Sequence, residues 1–184
     1  EKYRPRSLDD LVGQEQIVKR LNFLRGGGKP PGSGTAAAGE PQGPHGWKGR
    51  VLWLVGRSGC GKTSCARIIA EEIADSYATF ELDAMEYTMD FVREMERMTE
   101  CKPIGKGCWV FICNEAHGLS DKVLSRLQTT VERPSFQRNA TFILTTTNAG
   151  QQRIEDCRFD ALPFLSRATV LQFESSTSTL ELAY

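Results

Sequence analysis

The stretch that most limits what this chain can fold into is Gly56 to Thr63, GRSGCGKT. It satisfies the pattern G-x-x-x-x-G-K-[ST] in full. An apolar run, Val51–Val55, leads in, and a helix-like run, Ser64 to Ile73, leads out. Strand, loop and helix in that order are the setting in which the pattern carries a mechanism. Gly56, Gly59 and Gly61 let the backbone turn tightly with its N–H groups pointing inward. With the positive end of the following helix, those donors make a cradle for phosphate oxygens. The candidate contacts are Gly56, Arg57, Ser58, Gly59, Cys60, Gly61, Lys62, Thr63 and Ser64. Lys62 would reach the β- and γ-phosphates, and Thr63 would offer its hydroxyl to a magnesium ion. The bland alternative is a Gly-rich turn followed by a chance Lys-Thr; the flanking strand and helix argue against it.

Composition sets the bounds around this loop. The 184 residues suffice for one α/β domain with a real core. Lys+Arg and Asp+Glu are both 23, so overall charge gives no support for nucleic-acid binding and does not exclude a local patch. No apolar run approaches membrane-spanning length and no N-terminal stretch resembles a signal peptide, so no membrane partner is expected. The chain starts at Glu1 without a Met, as a fragment would. The cysteines Cys60, Cys65, Cys101, Cys108, Cys113 and Cys157 form no C-x-x-C pair, which argues against a zinc ribbon and for free thiols in a reducing cytosol. Cys60, inside the loop, could also be a redox-sensitive thiol, though nothing in the sequence requires it.

Elements follow from periodicity. Ser7 and Asp10 have the spacing of a capping box on a short helix, and Ile17, Val18, Leu21 and Leu24 mark one side of a helix over Gln16–Leu24. Residues 25–49 are rich in Gly and Pro without apolar period, and read as a flexible surface loop in which His45 is solvated. Strands are predicted at Val51–Val55, Thr79–Asp83, Cys108–Cys113, Ala140–Thr146 and Ala168–Phe173. Helices are predicted at Lys62–Ala74, Met89–Met98 and Asp121–Glu132, the last with Ser120 as its N-cap. The stripe Phe91, Val92, Met95 and Met98 reads as core packing. This alternation implies an α/β fold: a parallel sheet with helices on both faces.

Asn114 and Glu115 fall just past the end of the apolar run CWVFIC. In such a sheet the carboxyl ends of the strands form the ligand crevice. Phosphate-loop ATPases commonly carry Asp-Glu here, the Asp holding magnesium through its water shell and the Glu accepting a proton from the attacking water. An amide oxygen at 114 can bond a magnesium-bound water but brings no charge. Glu115 keeps the water-activating group; otherwise it is an ordinary acid near a helix start.

EKYRPRSLDDLVGQEQIVKRL, GRSGCGKT, ELDAMEYTMDFVRE, VFICNEAH, TFILTTTN and LPFLSRATVLQF occur in this order. Together they resemble the ATPase domain of AAA+ clamp loaders, such as replication factor C small subunits and the bacterial polymerase III gamma/tau subunit. The resemblance covers nearly the whole chain apart from the Gly/Pro insert. It implies a P-loop NTPase core of the AAA+ type over residues 50–184, an adenine-side segment at 1–24 and an insert at 25–49. Tyr3, Arg4, Pro5 and Val12 resemble the segment packed around the adenine. Lys62 and Thr63 match the phosphate and metal contacts, Asn114 the metal-shell position, and Glu115 the catalytic base. Asn148 or its neighbour Thr147 falls at the polar sensor near the γ-phosphate. Ser166 and Arg167 resemble the Ser-Arg-Cys element, with Ala168 for the Cys. In the family that arginine reaches the ATP of a neighbouring subunit; the alternative is a surface arginine before an edge strand.

The implied cofactors are ATP and Mg2+, and the implied partners are other AAA+ subunits, a sliding clamp and primed DNA. The implied place is the cytoplasm or nucleoid, or the nucleus in a eukaryote. Asn114 departs from the family, as do Gln128 and Thr129, where basic residues are common. The family's helical lid and collar have no counterpart before Tyr184. The leading expectation is an ATP-hydrolysing clamp-loader-like subunit, weak as an isolated domain. The others are an ATP-binding scaffold with little hydrolysis, which Asn114 favours, and another AAA+ activity such as a helicase loader or Holliday-junction motor.

Overall fold

The computed structural model describes residues 5, 7–11, 13–26, 46–147 and 167–173. His45, Cys157 and the insert from 27 to 45 lie outside the described residues. Five strands form one sheet: β1 (Val51–Val55), β2 (Thr79–Asp83), β3 (Trp109–Asn114), β4 (Ala140–Thr146) and β5 (Ala168–Gln172). Their order is β2-β3-β4-β1-β5. Every pairing is parallel, with Val55 opposite Thr146 and Gln172, and Asp83 opposite Asn114.

A parallel strand must hide both faces, and β1 does so along its whole length. Leu52 and Leu54 face a core that includes α1 (Glu15–Arg25) and α2 (Lys62–Ile73). Val51, Trp53 and Val55 face a second core, with α3 (Met89–Thr99), α4 (Asp121–Val131) and α5 (Pro134–Asn139). The expected α/β sandwich is therefore present, helices on both faces. Ile17, Leu21 and Leu24 of α1 are buried with Val18 packed beside them, and Val92 and Met95 carry the α3 stripe inward.

The differences are local. β3 starts at Trp109, one residue late, and includes Asn114 as its last residue. Ser120 occupies the N-cap of α4 without a side-chain hydrogen bond to the helix. The segment after α4 forms a further helix, α5, which periodicity missed because it has six residues; Pro134 at its start presets the helical φ. Near residue 10 the expected capping box is present: Asp10 accepts the Ser7 N–H at 2.9 Å, and the Ser7 side chain faces the Asp10 backbone N–H in return.

The largest departure is Trp47, read as part of a surface loop yet fully buried. The Thr141 hydroxyl donates to its carbonyl at 2.9 Å, and its indole N–H reaches Glu72 Oε1 at 3.5 Å, an oxygen shared with Arg25 Nε at 2.6 Å. Gly46 N–H donates to Arg25 O at 3.3 Å, so the chain returns to the end of α1 after the insert. Flanking glycines hid this anchor from a reading based on composition.

Among the described cysteines all are free; Cys65, Cys108 and Cys113 are buried, and burial pushes the Cys65 thiol up to about 12. Native protein at pH 8 is expected to expose only Cys60 and Cys101 of these five to a thiol reagent, with the three buried ones reacting on unfolding. Trp47→Ala should lower unfolding free energy by about 3–5 kcal/mol in a denaturant titration, because it empties a closed aromatic site. A loss below about 1 kcal/mol would show that the indole is not a core anchor.

Candidate nucleotide site

Parallel strands end on one edge of the sheet, and here polar residues gather at that edge. β1 runs into Gly56, β3 into Glu115 and β4 into Thr147. Gly56 N–H donates to Thr146 O at 3.2 Å and Phe173 N–H to Val55 O at 2.6 Å, which ties the loop to both neighbouring strands. A side chain at Gly56 would stand 2.8 Å from Phe173 Cβ and 2.9 Å from Phe173 O, so only glycine fits. Gly61 caps α2 at φ 92°, in the left-handed region that favours glycine.

The first intrahelical bond of α2 is donated by Cys65 N–H to Gly61 O at 2.8 Å, and no side chain caps the helix. The amides of Lys62, Thr63 and Ser64 thus precede the helical ladder and sit at its positive end. Lys62 is buried, and its Nζ donates to Gly56 O at 2.9 Å and Arg57 O at 2.7 Å, with Cys60 Sγ at 3.8 Å. The ammonium is folded onto the carbonyls of its own loop, bonds that anionic oxygens can replace.

The corner around Asn114 follows from the two-residue period of strands. Glu81, Asn114 and Thr145 share the α2 side of the sheet with Ile112 and Ile143, and so meet α2. Asn114 Oδ1 accepts from Thr145 Oγ1 at 3.2 Å and from Thr63 Oγ1 at 3.5 Å. Its Nδ2 donates to Glu81 Oε1 at 3.1 Å. Arg67 of α2 grips Glu81 with two bonds of 2.6 and 2.7 Å. Glu81, Arg67 and Thr145 were missed as site residues; a charged residue in phase with Asp83 on a short strand was the available signal.

Glu115 has φ 51° and ψ 48°, and is the one non-glycine with positive φ among the described residues. Left-handed backbone turns the chain off the end of β3 at a cost of about 1–2 kcal/mol. Its side chain is 57% exposed, with Oε2 3.3 Å from the ring Nδ1 of His117, so the carboxylate is open to water rather than buried. His117 was a further residue that the sequence did not single out.

Thr147 is half-buried directly beyond β4, one residue past the partner of Val55. Asn148 and Ser166 lie outside the described residues, as do Tyr3, Arg4 and Val12. Pro5 is half-buried; Leu8 and Leu11 are buried in the same core as Cys65, and Leu11 lies beside Gly61. Arg167 sits at the opposite edge: it precedes Ala168, which pairs with Val51 at the start of β1. One strand length, about 13 Å at 3.3 Å per residue, separates that end from the loop. Its Nη2 meets Glu132 Oε1 at 2.8 Å, both side chains being partly exposed. A groove of about 680 Å³ beside Tyr77, Ile104 and Trp109 also lies at that opposite edge.

No group of three or more His, Cys, Asp or Glu side chains that could hold a metal occurs among the described residues. The oxygens of Thr63 and Asn114 nevertheless fit magnesium, a hard cation that keeps most of its waters and arrives with phosphates.

A glycine loop between a buried strand and a helix, with a buried lysine and a hydroxyl–amide corner, defines a P-loop nucleotide-binding fold. The profile of the family described as "ATPase family associated with various cellular activities (AAA)" matches residues 52–162, and the chain belongs to that family. It is 30% identical to replication factor C small subunit 1 of Pyrobaculum arsenaticum over 98% of this chain and 48% of the relative. It is 33% identical to the replication factor C small subunit of Thermofilum pendens over 89% of this chain and 47% of the relative. The chain thus spans about half the length of these relatives. Among solved structures, a RuvB variant of Thermotoga maritima superposes over all of this chain and 53% of its own, with TM-score 0.65 at 20% identity, a likeness of fold. No helix among the described residues is long and apolar enough to cross a membrane.

Replacing the left-handed Glu115 by glycine should raise unfolding free energy by up to about 1 kcal/mol in a denaturant titration. A clear loss of stability would show that the Glu115 side chain makes compensating contacts.

Proposed function

We propose that this chain is the ATPase domain of a clamp-loader-like AAA+ subunit, binding ATP with magnesium and transferring its γ-phosphoryl group to water. The observation that carries the reading is one edge of the sheet on which loop amides, Lys62, the Thr63–Asn114 corner and Glu115 converge. Residues 50–184 form the ATPase core in this reading, with 1–24 on the adenine side around Tyr3, Arg4, Pro5 and Val12, and 25–49 as an insert. Burial of Leu8 and Leu11 beside the loop supports the adenine-side role.

Residues from Gly56 to Ser64 hold the phosphates through amides and the Lys62 ammonium. Thr63 and Asn114 would hold magnesium, which would supply positive charge to offset the negative charge of the phosphates. Glu115, half-exposed at the strand end, takes the proton of the attacking water. Thr147 or Asn148 positions that water. Arg167, a strand length away from its own loop, serves a neighbouring subunit's ATP. The words "small subunit" in the relatives' names support an assembly with other AAA+ subunits; a sliding clamp and primed DNA are its proposed substrates by the resemblance to clamp loaders. A second reading, an ATP-binding scaffold with little hydrolysis, is favoured by the uncharged Asn114 at the metal corner.

Single-turnover ATPase assays separate the two. Glu115→Gln should slow hydrolysis about 10²–10⁴-fold while retaining ATP; a native rate already equal to that of Glu115→Gln identifies the scaffold. Lys62→Ala should weaken ATP binding at least about tenfold, the worth of one charge-assisted bond, and unchanged affinity would refute the nucleotide site. Turnover per chain should rise with chain concentration. Mixing Arg167→Ala with Glu115→Gln should recover activity that neither has alone; no recovery where the chains associate would remove Arg167 from a role in trans.

A further inference from the structure

An amide at a metal corner raises a problem that a carboxylate does not. The two oxygens of Asp are equivalent acceptors, so either orientation serves. A carboxamide has one acceptor end and one donor end, and a half-turn about its last bond exchanges them. At Asn114 the surroundings choose between the two. Oδ1 faces the hydroxyls of Thr145 and Thr63 at 3.2 and 3.5 Å, while Nδ2 faces Glu81 Oε1 at 3.1 Å. Hydroxyls can adapt to either end because they both donate and accept. Glu81 cannot: an ionised carboxylate only accepts, so the reversed amide would set oxygen against oxygen. Of the three neighbours, Glu81 alone discriminates. Arg67 in turn holds Glu81 still, through bonds of 2.6 and 2.7 Å to its two oxygens.

We propose that Glu81 is the positioning residue of this site: it locks the Asn114 carboxamide with its oxygen toward Thr63, and so gives an uncharged residue the acceptor geometry that magnesium-bound water needs. This rests on the magnesium-ATP reading above. Glu81 touches neither nucleotide nor metal; it acts through Asn114. Its effect therefore exists only while residue 114 is an amide. With Asp at 114 there is no donor end to orient, and Glu81 becomes a like charge beside it.

The test is a double-mutant cycle read by the ratio of ATP affinities with and without Mg2+, measured by titration calorimetry. Glu81→Ala should reduce that ratio about tenfold, the worth of one oriented polar contact. ATP affinity without Mg2+ should change less than about twofold. In the Asn114→Asp background, Glu81→Ala should leave the ratio unchanged or raise it. An equal reduction in both backgrounds overturns the proposal, since Glu81 would then act through Arg67 and the helix alone; so does no reduction in either. Glu81→Met, which keeps the side-chain length and removes the acceptor, replaces Glu81→Ala if the latter fails to fold. A second readout needs no nucleotide. In 15N-labelled native protein one Asn114 side-chain amide proton should be shifted and slowed in exchange by Glu81, and should return to free-asparagine values in Glu81→Ala or Glu81→Met. Free values in the native chain, or no change on substitution, overturn the proposal. Native protein whose ATP affinity ignores Mg2+ refutes the magnesium-ATP reading instead, and the amide signal then judges the orientation by itself.

Discussion

The structure depends on a parallel strand buried on both faces. β1 sits between β4 and β5, with Leu52 and Leu54 turned to one layer of helices and Val51, Trp53 and Val55 to the other. A strand so enclosed has little freedom to slip, because a one-residue shift would exchange its two faces. Its end therefore fixes where Gly56 begins, and the tight contact of Gly56 with Phe173 fixes how the loop leaves. The position of α2, and with it Lys62 and Thr63, follows from that turn.

The same parallel register sorts the polar residues by edge. Asn114, Glu115 and Thr147 are neighbours of the loop because β3 and β4 run in the direction of β1. Arg167 is excluded from this group because it stands at the start of β5 rather than at its end. Charge is handled sparingly at the loop edge. Lys62 is satisfied by backbone carbonyls, Glu81 by Arg67, and Asn114 adds no charge. A hydroxyl–amide corner fixed by its own hydrogen bonds is preorganised, and it offers a divalent cation less attraction than a carboxylate would.

Much of the fold was legible in the chain. The bounds of β1, β2 and β4 match the apolar and β-branched runs, since buried strands leave a dense local signal. Features that rest on distant partners were not legible. Trp47 lies among glycines and prolines, and its burial depends on α2 and β4. The α5 helix is too short to show a period. At the candidate site, the loop residues, Asn114 and Glu115 were legible as motif and strand end, and Thr147 only as one of two positions that the resemblance implied. Glu81, Arg67 and Thr145 were not, because their relevance is a matter of which strand lies beside which.

The sequence alone determined the loop, the helix behind it and the alternation that makes a covered parallel sheet, because each is written in neighbouring residues. Only the tertiary structure decided that Glu81 and Thr145 frame Asn114, that Trp47 belongs to the core, and that Arg167 stands a strand length from its own loop. Strand order and register bring together groups far apart in the chain, and no local pattern records which strands become neighbours.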